Sequence, residues 1–254
     1  MAQKIAAPKR RPRLGGLKDI IDPFVDEPRI TATTDFVWED SGCSVSASAT
    51  RAGCVDDVVA DGDFDEDATG IGQFELIGPA FARFKAIRCF LGGDNDSDGT
   101  YEAQAIAALE AVEDREIEAV LWGWAEAATA TSTASSFVGA IAAAEEYADR
   151  NYIGMPLMIM SRGSAQAAFE RGALSRKDGV LMTGNGTPVL ATGAVPNDEQ
   201  DTVAVIGWPA VYVGKIVAAM ATNHRYNTAL AVAQRAYGIG VDCEFRYTAT
   251  VTAP

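Results

Sequence analysis

His224 is the only histidine of this 254-residue chain, so any Ser-His-Asp or Cys-His centre would have to use it. It stands in the polar stretch ATNHRYN with no nucleophile motif beside it, which reads as a solvated loop histidine. Asp56-Asp57 and the group Asp63, Asp65, Glu66 and Asp67 are of the type that ligates magnesium. Their segment holds too few apolar residues to build a rigid cage, so a solvated acidic loop is the simpler reading. DNDSDG at residues 94–99 opens like a calcium loop, but the twelfth position, which needs a bidentate carboxylate, is Ala105. A loop leading into a helix N-cap is expected there instead. TGNGT at residues 183–187 lacks the glycine spacing that cradles phosphates and reads as a hairpin turn. Cys43, Cys54, Cys89 and Cys243 are scattered with no CxxC pair, which does not suit zinc. Buried or half-buried free thiols are expected, although Cys43 and Cys54 could meet across a hairpin. The inventory points to no catalytic residue, no cofactor and no metal site.

Charge is more informative than these groups. The net charge of -14 argues against a surface that grips nucleic acid throughout, because phosphate binding needs Lys and Arg. Yet residues 1–18 hold six bases (Lys4, Lys9, Arg10, Arg11, Arg13, Lys18) and no acid, giving +6. Residues 26–67 hold twelve acids against Arg29 and Arg51, giving -10. A basic arm therefore precedes an acidic segment. The basic start is followed by polar residues and is not a secretory signal. No apolar run approaches the roughly 20 residues of a membrane span, so no membrane partner is expected.

Periodicity supplies the elements. Pro8, Pro12, Pro23 and Pro28 break any helix in residues 1–35, which read as an extended arm. Residues 36–74 alternate Gly, Ser and Asp with short β-prone pieces, suiting a long hairpin that gains order by lying on a partner. Phe74, Leu76, Phe81, Phe84, Ile87 and Phe90 mark where the chain reaches a core. A long amphipathic helix is predicted over residues 101–124, with Ile106, Leu109, Ile117, Val120, Leu121 and Trp124 on one face and Glu and Arg residues on the other. ATATSTASS at residues 128–136 reads as a linker, followed by a second helix over residues 137–149. Beyond Pro156 come a strand in PLMIMS, a helix over 163–171, a hairpin about Gly184-Asn185-Gly186, strands in VAVIGW and VYVGKIVAA, and a last strand over 240–250. The class is α+β.

The order of basic arm, extended loop, long helix, second helix and strand-rich return resembles the Hong Kong 97-type (HK97-like) capsid fold. AALEAVEDREIEAVLWG, residues 107–123, is similar to the spine helix and its exit in capsid proteins of phages infecting actinobacteria. IGMPLMIMSRGSAQAAFERGALSRKDGVLMTGNGTPVLATGAVP is similar to that family's axial domain, and ALAVAQRAYGIGVDCEFRYTATV to its final strands. The similarity covers roughly residues 100–252.

The resemblance implies an N-terminal arm (1–35), an extended loop (36–75), a peripheral domain (76–125 and 219–235) and an axial domain (126–218 and 236–254). It further implies a major capsid protein without enzymatic activity, self-assembling as hexamers and pentamers into an icosahedral phage head around double-stranded DNA. Its location would be the virion, assembled in the host cytoplasm. Other implied partners are the portal, scaffolding or decoration proteins, and packaged DNA by non-specific contact at most. Inter-subunit contact is expected between Lys9, Arg10, Arg11 and Arg13 of one copy and Asp56, Asp57, Asp63 and Asp65 of the next, the alternative for the same +6 charge being an arm that hangs into the lumen and binds DNA. No lysine lies in residues 36–74, so no cross-link from a loop lysine is expected. The loop begins near residue 36, which leaves no room for a long N-terminal assembly domain and points to a scaffolding function supplied separately. The alternatives are an encapsulin-like shell, a tail-tube or other virion subunit, and, from another class, a small-molecule enzyme on an α+β fold.

Overall fold

A computed structural model describes residues 16–21, 25–26, 75–89, 100–199, 201–223 and 228–252. The chain runs α1 (Leu17–Ile20), β1 (Val25–Asp26), β2 (Glu75–Cys89), α2 (Thr100–Glu126), β3 (Thr131–Ala134), α3 (Phe137–Asn151), β4 (Leu157–Ser161), α4 (Arg162–Glu170), β5 (Leu174–Lys177), β6 (Val180–Thr183) and β7 (Pro188–Thr192). After a 3-10 turn (Asn197–Glu199) follow β8 (Thr202–Ile206), β9 (Pro209–Val213), β10 (Val217–Asn223) and β11 (Thr228–Val241). A second 3-10 turn (Asp242–Glu244) leads into β12 (Arg246–Val251). The α+β expectation holds.

Seven strands form one mixed sheet in the order β3-β12-β8-β4-β7-β6-β5. PLMIMS reads apolar throughout because β4 is covered on both faces. Leu157 and Ile159 point into one core with α2, whereas Met158 and Met160 point into another with α3 and α4. The strand period of two sorts them. Ser136 and Ser161 cap α3 and α4, accepting hydrogen bonds from the N–H groups of Gly139 and Ser164.

The second sheet is built around β11. On one side β11 pairs along nearly its whole length with the 15-residue β2. On the other it pairs first with β10 and then with β9. β1 adds to β9 in parallel, Val25 opposite Tyr212, and so brings the arm into the sheet. Pro79, which has no N–H to donate, stands opposite Gly238 where the β2–β11 register shifts. Helix α2, about 40 Å long at 1.5 Å per residue, lies along β2, β10 and β11.

Several expectations need correction. The linker at 128–136 contains β3, which pairs in parallel with β12 from Thr131 opposite Thr248 to Ala134 opposite Val251. Its small residues suit an edge position. VYVGKIVAA is not one strand, because Gly214, Lys215 and Ile216 stand against only Arg235 and Ala236 of β11. This is one residue too many for continuous pairing, and the strand divides into β9 and β10. The last strand does not run unbroken over 240–250. Cys243 (φ 63°) and Glu244 (φ 47°) take left-handed conformations that end β11 and turn the chain from one sheet to the other. Cys243 is disulfide-bonded rather than a free thiol. The other crossing, at Gly207, lies beside this one: Gly207 N–H donates to Phe245 O at 2.9 Å. A Cβ at Gly207 would stand 2.1 Å from the Asp242 carbonyl oxygen, so only glycine fits.

Candidate functional site

The groups with the most distinctive surroundings lie on α2. Ala105, Leu109, Glu113, Ile117, Leu121 and Ala125 recur every four residues and are all buried. Such a row forms one ridge of a helix. Glu113 occupies an apolar position in that row and is only 3% exposed, while Glu118, one residue past Ile117, is 0% exposed. Charge alone places both acids on the polar face, and a buried carboxylate persists only when it is well supplied with donors.

Glu118 receives the Leu17 N–H at 3.2 Å on one oxygen and the Thr192 hydroxyl at 2.6 Å on the other. Thr192 in turn accepts the Ala194 N–H at 2.9 Å. One carboxylate thus ties the arm helix α1 and the end of β7 to α2. Leu17 and Ile21 enter the same core beside it, so this part of residues 1–35 is a buried helical turn, lying between Pro12 and Pro23, and not the helix-free extended arm expected from the prolines. Glu113 faces the other sheet, accepting the Tyr237 hydroxyl at 2.8 Å and Arg235 Nη1 at 3.2 Å. Arg235 and Tyr237 are two apart on β11 and so share a face. Arg235 Nε also donates to Gly214 O at 2.8 Å, bridging the break between β9 and β10. Burial, and then the charge of Glu113, push the Tyr237 phenol far above its ordinary pKa.

The exit of α2 is secured as well. No basic residue lies in its last turn. Arg246 of β12 supplies one, donating to Trp124 O at 3.0 Å and lying 4.6 Å from the centre of the Trp124 ring. The Trp122 indole donates to Glu199 at 2.5 Å. At the paired sheet crossings, the Tyr152 hydroxyl accepts the Trp208 N–H at 3.1 Å and donates to Asp242 at 2.8 Å. Burial is the chief reason that the Tyr152 phenol is also raised.

This arrangement fixes one helix to an arm and two sheets through charged and polar contacts. Among the described residues no group of three or more His, Cys, Asp or Glu stands close enough to hold a metal ion, and no helix is long and apolar enough to cross a membrane. The TGNGT turn is a hairpin turn, with Gly186 at φ 93° and Thr183 N–H donating to Thr187 O at 2.9 Å. Glu145 of α3 accepts from the Thr183 hydroxyl and the Asn185 amide. α2 starts at Thr100 and buries Ala105, the position a calcium loop would need as a ligand. Residues 94–99, His224, Cys43, Cys54 and the proposed contact residues Lys9, Arg10, Arg11, Arg13, Asp56, Asp57, Asp63 and Asp65 lie outside the described residues.

No family model matches this chain, and no curated protein matches it in sequence. Solved structures do match it in fold. The capsid of a native GTA particle is 11% identical and superposes with a TM-score of 0.54, over 100% of this chain and 96% of that one. The holo-SrpI encapsulin of Synechococcus elongatus is 10% identical with a TM-score of 0.53, over 98% and 92%. The capsid of cyanophage P-SCSP1u is 11% identical with a TM-score of 0.50, over 100% and 93%. The likeness runs from end to end, and the fold is the HK97-like one that the sequence resemblance implied.

Proposed function

We propose that this chain is a shell subunit, the major capsid protein of a tailed phage. It self-assembles as hexamers and pentamers into an icosahedral head around double-stranded DNA. One observation carries the reading: the whole chain, not one module of it, takes the fold of subunits from two capsids and an encapsulin shell. The buried polar groups of α2 support it, because they hold arm, helix and two sheets in one fixed relation. The subunit's role is structural and its location the virion, with assembly in the host cytoplasm. The actinophage-like segments at residues 107–123 and 153–196 favour the viral branch.

The partners are other copies of the chain, the portal, and scaffolding or decoration proteins. DNA is touched non-specifically at most, since a net charge of -14 keeps it from adhering to the wall. Lys9, Arg10, Arg11 and Arg13 dock on Asp56, Asp57, Asp63 and Asp65 of a neighbour. α1 and β1 support this, because they anchor the arm to the body a few residues beyond the basic cluster. The end-to-end likeness to an encapsulin favours a second reading, a compartment that holds protein in place of DNA.

Electron microscopy and the nucleic-acid absorbance ratio of particles purified from an infected or co-expressing cell test both. Closed particles rich in DNA are expected. Closed particles filled with protein would favour the compartment. A compact monomer under all salt and pH conditions, with companion proteins present, would remove both readings.

A further inference from the structure

A subunit that closes into rings must offer one face that fits a different face of the next copy. Opposite ends of the seven-stranded sheet supply two such faces. β4 and β7 run parallel, Met158 opposite Val189 and Ser161 opposite Thr192. The β6–β7 turn therefore lies beside the start of β4, and the β5–β6 turn beside its end.

At the first end is a concavity of about 610 Å³, lined by Glu145, Glu146 and Asp149 of α3 and by Ile153. Ile153 is 58% exposed and nearby Met155 52%. At the second end is a concavity of about 480 Å³, lined by Arg162, Arg176 and Phe169, the last 43% exposed. Residues 137–156 carry three acids and one base, and residues 162–178 four bases and two acids, so the faces are opposite in sign. Half of the large apolar side chains exposed among the described residues, Ile153, Met155 and Phe169 of six, belong to these two ends.

We propose that the acidic end of one copy, with Ile153 and Met155, seats on the basic end of the next copy, with Phe169, as the head-to-tail contact of the ring. The inference rests on the shell reading and assigns its ring contact. Apolar side chains supply the burial. Exposed ion pairs are individually weak, and here they set direction and register. Glu145 is occupied by Thr183 and Asn185, which leaves Glu146 and Asp149 to meet the partner. Glu146 pairs with Arg150 on the same helix, but both side chains remain mostly exposed.

The test reverses charge on the full-length chain. E146K/D149K and R176E/K177E are each expected to cut the assembled fraction at least tenfold in sedimentation, with melting temperatures near that of wild type. The quadruple variant, with both faces reversed, regains closed shells. A one-to-one mixture of the two double variants has attractive contacts only where the two types alternate. It therefore forms rings of even number alone, and micrographs show sheets or tubes of hexamers that never close. Double variants that assemble like wild type overturn the inference while leaving the shell reading intact. So does a quadruple variant that keeps the wild-type melting temperature but forms no rings. If the wild-type chain forms no shells beside its companion proteins, the shell reading itself fails and takes the ring contact with it.

Discussion

The two sheets are held in different ways. β4, β7 and β8 of the seven-stranded sheet lie between two apolar layers, α2 on one face and α3 with α4 on the other. The sheet around β11 shares a buried apolar core with α2 as well, through Ala231, Ala233, Ile239 and Val241 among others, but it is also tied to α2 by the Glu113–Arg235–Tyr237 contacts. Apolar burial resists salt and pH, whereas a buried ionic contact depends on every member keeping its partner. One region should therefore behave as a rigid block and the other as a part whose attachment can be tuned.

The largest effect is expected in the block. Ile159→Ala removes a fully buried side chain and should cost about 2–5 kcal/mol, lowering the melting temperature equally at low and high salt. Next, Arg235→Met removes the guanidinium that faces Glu113 and should cost about 3 kcal/mol. Hydrogen exchange should then quicken in β10 and β11 but not in β4 and β8. Equal loss of protection in both sheets would show that they unfold as one and would end the distinction. Glu118→Gln should cost about 1.5 kcal/mol and speed tryptic release of the arm, because the Leu17 N–H and Thr192 hydroxyl lose a charged acceptor.

The smallest effect is confined to alkali. The phenols of Tyr237 and Tyr152 both have folded-state pKa values raised above the usual 10.0. A raised value means that the folded state holds the proton more tightly. The stability it contributes is whole below pH about 10 and falls as pH climbs above that, by at most about 1.4 kcal/mol per pH unit for each group. Tyr237→Phe should flatten the fall seen by urea titration at high pH. Tyr152, at the crossings between the sheets, should account for what remains.

The periodic elements were legible because their pattern is local. α2, α3, β4 and the turn at Gly184-Asn185-Gly186 fall where spacing and turn chemistry place them, within about two residues at their ends. What escaped was decided by distant partners. β3 exists because β12 lies beside it, and the divide between β9 and β10 depends on a register set by β11. The break at Cys243 and Glu244 follows from the chain's need to change sheets next to Gly207. Glu113 did carry a signal, since it stands four residues from both Leu109 and Ile117 on an apolar row. Its charge argues for the solvated face and masks that signal. The Leu17 contact of Glu118 spans 101 positions in sequence and has no local trace.

The outer strands of the seven-stranded sheet bear on solubility. A cell filled with many copies of one β-rich chain risks uncontrolled strand addition, since unpaired backbone groups at a sheet edge will accept any extended segment. β3 and β5, at the two margins, are only four residues long, and β5 ends in Arg176 and Lys177. Short margins give an intruding strand few bonds, and like charges repel a second copy approaching edge to edge. Reversing the sign of both side chains preserves that repulsion, whereas neutralising them with Val or Ile would remove it and favour disordered aggregates.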